Sequence, residues 1–298
     1  MKIKNMIKTV QDHKKAYKNY IMILYELHRK RNISLFTDNI KINVTLRNGE
    51  KGVFPYGFVT AYARLRSIAN PNISDLRLTN EGIAFRYKDH PIILDTGRFS
   101  DPDAVFFNEE YKFLNVNDCD VIDVGMNIGD SSIYFSMNGA KRVIGLEPYP
   151  YAFSIAEKNI RLNNINNIIP INAGYGKDSN VIVSEKISSN SSSLICSDSG
   201  KEISIISLKT LINRYNIESA VLKMDCEGCE YSLMDEDNEV FTHIKMIQIE
   251  YHYGYKKLVE KLKDADFDVK YTQPGKFYNR NAENPNMELG YIYAKRIA

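Results

Sequence analysis

The chain has 298 residues, 44% of them hydrophobic and 26% charged, with a formal net charge of +2. That balance belongs to an ordinary soluble globular protein, either one large domain or a core with a smaller attachment. The apolar run YIMILY at 20–25 is too short to cross a bilayer, and no small-residue cleavage site follows it, so a cytoplasmic protein without a transmembrane segment is expected.

In chain order, Ile3, Met6, Ile7, Val10, Tyr17, Ile21, Leu24 and Leu27 recur at helical spacing, predicting one long amphipathic helix or two shorter ones over 3–31. Alternation at 40–46 followed by Asn48-Gly49 predicts a hairpin, a helix should cover 57–69, and runs at 76–79 and 83–87 flank a second turn. Residues 1–50 carry eleven basic against four acidic side chains, a local +7, while the remainder carries −5. Such an arm is either a solvated helix face or an anchor for an anionic partner such as RNA.

From about residue 104 the rhythm becomes strand, helix, strand, helix. Strands are expected at 120–124, 141–146, 167–172, 219–225, 243–252, 266–272 and 289–295, and helices near 130–138, 149–163, 207–215, 229–235 and 254–264. This predicts an α/β fold in which a seven-stranded, mostly parallel Rossmann-like sheet ends in an antiparallel C-terminal hairpin. A smaller α+β region is expected over 1–103 and the core domain over 104–298. The run of serines at 188–193 is the one low-complexity stretch.

The run VIDVGMNIGD from Val121 to Asp130 reads as a strand ending in an acid, then a glycine-spaced turn into a helix. A second strand, RVIGL from Arg142, ends in Glu147. Glycines allow close backbone approach to a nucleoside, and the second acid can accept both ribose hydroxyls. Where a dinucleotide turn would want glycine, this one has Asn127 and Asp130, and an aspartate there would repel a pyrophosphate. S-adenosylmethionine has no phosphate, so the acids are tolerable, with Asp123 expected near its cationic methionine end. Asn172, ending the third strand, could bond the adenine edge.

In open α/β sheets ligands gather at the carboxyl ends of strands. The fourth strand delivers Asp225, followed by Cys226, Glu227, Gly228, Cys229 and Glu230. The fifth delivers Glu250 and His252, which a spacing of two puts on one face. Asp225, Glu227, Glu250 and His252 are the catalytic candidates, one of them a base for an attacking hydroxyl. Glu230 is expected to favour the N-terminus of the following helix. Carboxylates and an imidazole could also gather around a divalent ion, but spacing does not establish this and no metal is assigned. Four cysteines form no disulfide framework. Acids crowd the Cys226–Cys229 pair, so both are expected to be small packing residues rather than a redox pair.

These blocks together resemble the FkbM-type methyltransferases, whose first block reads I-D-V-G-A-N-I-G and whose later one reads L-K-I-D-V-E-G-A-E. The family pattern maps onto Asp123, Gly125, Asn127, Gly129 and Glu147, with Pro148 beside it, for the cofactor, and onto Asp225, Glu227 and Glu230 in the later block. Met126, Cys226 and Cys229 depart from it. The resemblance implies an S-adenosylmethionine-dependent enzyme methylating a hydroxyl of a sugar, glycan or small metabolite. Methylation of RNA, anchored by the basic first fifty residues, is the alternative, and residues 1–103 are left to substrate recognition or homo-oligomerisation.

Overall fold

The structure is a computed structural model that describes residues 2–34, 40–97, 102–183, 199–278 and 285–297. The serine run at 188–193 lies outside them. The chain divides into two compact units, Met1–Glu110 with Arg161–Asn163, and Tyr111–Ile160 with Asn164–Ala298.

In the first unit the amphipathic stretch is two helices, Lys2–Ala16 and Tyr20–Ser34. Their buried face matches the predicted one only in part. Tyr17, Ile23 and Leu27 are buried, whereas Met6, Ile7, Val10 and Ile21 are exposed. The break after Ala16 resets the helical phase, and Tyr17 leaves the helix to donate its hydroxyl to Val59 O at 2.8 Å. The predicted hairpin pairs Lys41–Thr45 with Lys51–Pro55. The second turn joins Ile73–Leu78 to Ile83–Tyr87, and a third strand, His90–Leu94, completes that sheet.

The second unit holds the large sheet. Its strands are β1 (Asp120–Val124), β2 (Arg142–Leu146), β3 (Ile168–Ile171), β4 (Ala220–Met224), β5 (Ile244–Tyr251), β6 (Phe267–Tyr271) and β7 (Asn286–Arg296). Across the sheet the order is β6-β7-β5-β4-β1-β2-β3. The five strands from β5 to β3 run parallel, and β7 lies antiparallel between β5 and β6. The final reversal is thus as predicted. An additional short strand, Gly275–Tyr278, pairs with β7 and makes the sheet eight-stranded.

Helices α1 (Asp130–Met137), α2 (Pro150–Leu162), α3 (Leu208–Tyr215) and α4 (Lys256–Asp264) fall close to their predicted places. The segment after β4 does not become an α-helix. Cys229–Asp235 is a 3-10 turn entered through Gly228 at φ 118°. A small separate sheet, formed by Ala173–Tyr175, Ser179–Val183 and Lys201–Ile206, was not anticipated.

Strand alternation sorts the core. Ile122, Val124, Leu222, Met224, Ile247 and Ile249 face one layer and pack with Leu211, Ile212, Leu258 and Leu262 of α3 and α4. Truncating one such leucine to alanine costs about 2–5 kcal/mol. Asp123 and Lys223 lie on the opposite face as direct register partners on β1 and β4. Because five neighbouring strands run parallel, their C-terminal residues converge on one edge, and that edge carries a set of polar side chains.

Candidate active site

The turn after β1 is built by backbone geometry. Gly125, Asn127 and Gly129 all have positive φ, at 77°, 49° and 82°. A Cβ on Gly125 would meet Asp225 O at 1.9 Å, so the glycine is demanded by the end of β4. Met126, where the family pattern has alanine, is fully buried, and its sulfur occupies the space beside Gly145. Asn159 of α2 donates to Ile128 O at 2.9 Å and pins the turn from behind.

Glu147 reaches under this turn. One carboxylate oxygen accepts from Asn127 N at 3.0 Å and the other from Tyr149 N at 2.9 Å. Burial raises its pKa to about 7, against the pull of these two backbone donors. Asn172 stands beside it, donating to Glu147 O at 2.9 Å and Pro148 O at 3.1 Å. Its Oδ1 is buried without a hydrogen-bond partner, an open acceptor at the end of β3.

Asp123 is fully buried and turned inward. One oxygen accepts from Ser131 Oγ at 2.6 Å and Ser132 Oγ at 2.7 Å, and the other lies 3.0 Å from Lys223 Nζ. Lys223 also donates to Gly125 O at 2.6 Å. This fully buried pair ties β1, β4, the turn and α1 together. Burial opposes the lysine's charge, but Asp123 and Asp225 hold its pKa above the ordinary value. Asp130, also buried, is raised by desolvation to about 7. The sequence reading missed Lys223. A lone lysine in an apolar strand was its only signal, and the registering acid lies about a hundred residues away.

At the ends of β4 and β5, Asp225, Glu227 and His252 come together, with one ligand-type atom from each within 4.8 Å of the others. Glu250 does not join them. It shares the face of His252 but stands two residues back along β5, about 6.8 Å deeper. His252 is 2% exposed. Its Nδ1 lies 3.0 Å from Glu230 Oε1, and its Nε2 lies 3.4 Å from Glu227 Oε2. Burial works against its charge, yet Glu230, Glu227 and Asp225 push its pKa up to about 10. Burial likewise raises the pKa of Glu227, whose side chain remains 39% exposed.

Glu230 stands in the first turn of the 3-10 segment, as expected, but it does more than favour that end. Fully buried, it accepts from Gly228 N at 2.8 Å and His252 N at 2.9 Å, clamping the loop to the end of β5. Tyr231 adds a second clamp, donating to Gly254 O at 2.6 Å and accepting from Tyr253 N at 2.8 Å. The cysteines also differ from expectation: Cys226 and Cys229 are joined by a disulfide. With Gly228 and Glu227 at positive φ, the loop brings the two cysteine Cα atoms to 5.5 Å, a separation that a disulfide spans.

A parallel sheet with its last strand reversed, a glycine turn after its first strand and an acid ending its second make the α/β arrangement in which nucleosides are held at the strand ends. Residues 123–269 match the model of the Methyltransferase FkbM domain family, a family that depends on S-adenosylmethionine, and the match is consistent with an FkbM-type methyltransferase. A protein N5-glutamine methyltransferase of Methanocaldococcus jannaschii is 38% identical over 55 residues, which are 18% of this chain and 28% of that protein. A ribosomal protein L11 methyltransferase of Alkaliphilus oremlandii is 29% identical over 158 residues, 52% of this chain and 46% of that protein. The chain therefore spans less than half the length of either relative. Among solved structures, M. jannaschii TYW2 in complex with AdoMet aligns at a TM-score of 0.38 and 16% identity, over 72% of this chain and 86% of that one. No helix among the described residues is long and apolar enough to cross a membrane.

Proposed function

We propose that this enzyme methylates a hydroxyl group of a sugar, glycan or small metabolite, with Glu227 taking up the acceptor's proton. The observation that carries the reading is the pairing of Glu227 with His252. Glu227 is a partly exposed carboxylate of raised pKa, 3.4 Å from an imidazole at the strand ends where ligands of such sheets gather. His252, with its pKa near 10, stays protonated at neutral pH and holds Glu227 in place rather than serving as the base.

S-adenosylmethionine supplies an electrophilic methyl carbon on a sulfonium. The chain's residues suit it. In this assignment Glu147 accepts the ribose hydroxyls, and the unpartnered Oδ1 of Asn172 accepts from the adenine amino group. Gly125, Asn127, Gly129 and Pro148 shape the approach, and Asp123 acts through Lys223 to fix the turn. Asp225 would orient the acceptor beside Glu227, and Glu227 would receive the proton of the acceptor hydroxyl. The products are a methyl ether, the demethylated cofactor and one proton.

Nitrogen methylation is less well supported. Amino-methylating enzymes carry an N/D-P-P-Y type motif after the fourth strand to stack a planar acceptor, and this chain has Asp225-Cys226-Glu227-Gly228 there. RNA is kept as a second reading on one observation, the local +7 of residues 1–50. The first unit is assigned to acceptor recognition or self-association. A cytoplasmic setting is proposed, although the Cys226–Cys229 disulfide would there be a sensing or reduced pair.

Transfer of a labelled methyl group from S-adenosylmethionine to a panel of sugars, small alcohols, tRNA and ribosomal protein decides between these. Label in an alkali-stable ether on a hydroxyl compound is the expected outcome. Label confined to tRNA bases or protein amides would overturn the reading.

A further inference from the structure

We propose that Asp225, Glu227 and His252 bind a single divalent cation, an inference that deepens the methyltransferase reading and rests on it only for the cation's use. Their three donor atoms lie within 4.8 Å of one another. Three points so spaced share a centre no more than about 2.8 Å from each, so a contraction of a few tenths of an ångström reaches ordinary metal–ligand distances of about 2.0–2.6 Å.

A second observation concerns the ring. Glu230 holds Nδ1 at 3.0 Å with an oxygen that also takes the backbone N–H of His252 at 2.9 Å. Its other oxygen is held by Gly228 N at 2.8 Å. With Nδ1–H donated to this fixed carboxylate, Nε2 is the atom presented to Asp225 and Glu227, and an incoming cation releases to solvent the proton that Nε2 carries at neutral pH in the metal-free chain. A buried carboxylate behind a histidine, fixing its tautomer and raising its basicity, is the recurring support of metal-binding imidazoles. Glu227 joins the cluster only because its backbone adopts a left-handed φ of 58°. The disulfide spanning Cys226 and Cys229 closes the loop on either side of it.

Two carboxylates and one imidazole suit Mg²⁺, Mn²⁺, Fe²⁺ or Zn²⁺, and a six-coordinate ion would keep positions open for water or acceptor oxygens. A cation there lowers the pKa of a bound hydroxyl, so the favoured acceptor offers two adjacent oxygens that chelate it.

The test is titration of Mn²⁺ alone into the full chain, following the loss of the free-ion paramagnetic resonance signal. The wild type should take up one equivalent. Asp225→Asn, Glu227→Gln and His252→Gln should each bind at least about tenfold more weakly, while Glu260→Gln, an exposed acid on α4, should match the wild type. Glu227 is partly exposed, so its variant folds even if the buried ones do not, and matched melting curves verify this. An unchanged free-ion signal with the wild type, or wild-type uptake by Glu227→Gln, overturns the site. Mn²⁺ uptake without methylation of any hydroxyl would leave the cation site standing and remove O-methylation. Methylation without uptake would do the reverse.

Discussion

Lys223 lies in an otherwise apolar strand with its ammonium 3.0 Å from the Asp123 carboxylate, both side chains cut off from water. Such a pair stabilises little in net terms but is costly to break, because the survivor is an unpaired buried charge. Lys223→Met should therefore lower unfolding stability in urea by about 3–5 kcal/mol, and adding Asp123→Asn should restore part of the loss. Glu147 supplies a pH dependence. Its pKa rises from 4.5 to about 7 on folding, so between those values the native state binds more protons than the unfolded chain. The slope is then negative, and this contribution to stability falls as pH rises through that window. Asp130, with a folded pKa of about 7, acts in the same direction. Cofactor hydroxyls prefer the ionised acid, so S-adenosylmethionine should bind more tightly on going from about pH 6 to about pH 8, and Glu147→Gln should flatten that response in calorimetry. The strand-end acids were legible in the sequence because an acid closing an apolar run is a local pattern. Their partners were not, since the inward turn of Asp123 depends on the register between β1 and β4.

The loop from Asp225 to Glu230 is where element and chemistry meet. It leaves β4 with two consecutive residues at positive φ, enters a 3-10 turn rather than the predicted α-helix, and is cross-linked across four residues. So short a ring constrains the unfolded chain weakly, by about 2 kcal/mol in the loop-entropy picture. Its larger role is to hold Glu227 against His252. Replacing both cysteines by serine, or reducing them with a dithiol, should shift melting only slightly while turnover falls several-fold at unchanged cofactor affinity. Equal turnover in oxidised and reduced enzyme would refute this. Seven strands and four helices were readable from hydrophobic period alone, since each buries one stripe or both faces. The disulfide was misread because thiol acidity was judged from neighbouring charges, whereas loop curvature decided it. Alternation put Glu250 on the face of His252, but the face of a strand does not give the depth along it.

At the scale of the molecule, charge is divided between the ends of the sequence: +7 in residues 1–50 and −5 in the rest. If that region anchors RNA, retention of the full chain on tRNA should weaken steeply with added salt, and absence of binding at low salt would dismiss the second reading. The helical pattern there was legible, but its phase only in part. Tyr17 and Leu27 are buried as that pattern predicts, whereas Met6, Ile7 and Ile21 are exposed.

The 1.9 Å separation between a Cβ added at Gly125 and Asp225 O has a consequence for heredity and engineering. The segments 121–129 and 222–230 are far apart in the gene but interlock as one part, through that contact and through Lys223. Recombination that brings in either cassette from a relative should yield insoluble or inactive chimeras, while exchanging both at once should preserve the fold. The functional inheritance unit of this enzyme is discontinuous, and crossover sites belong outside both segments.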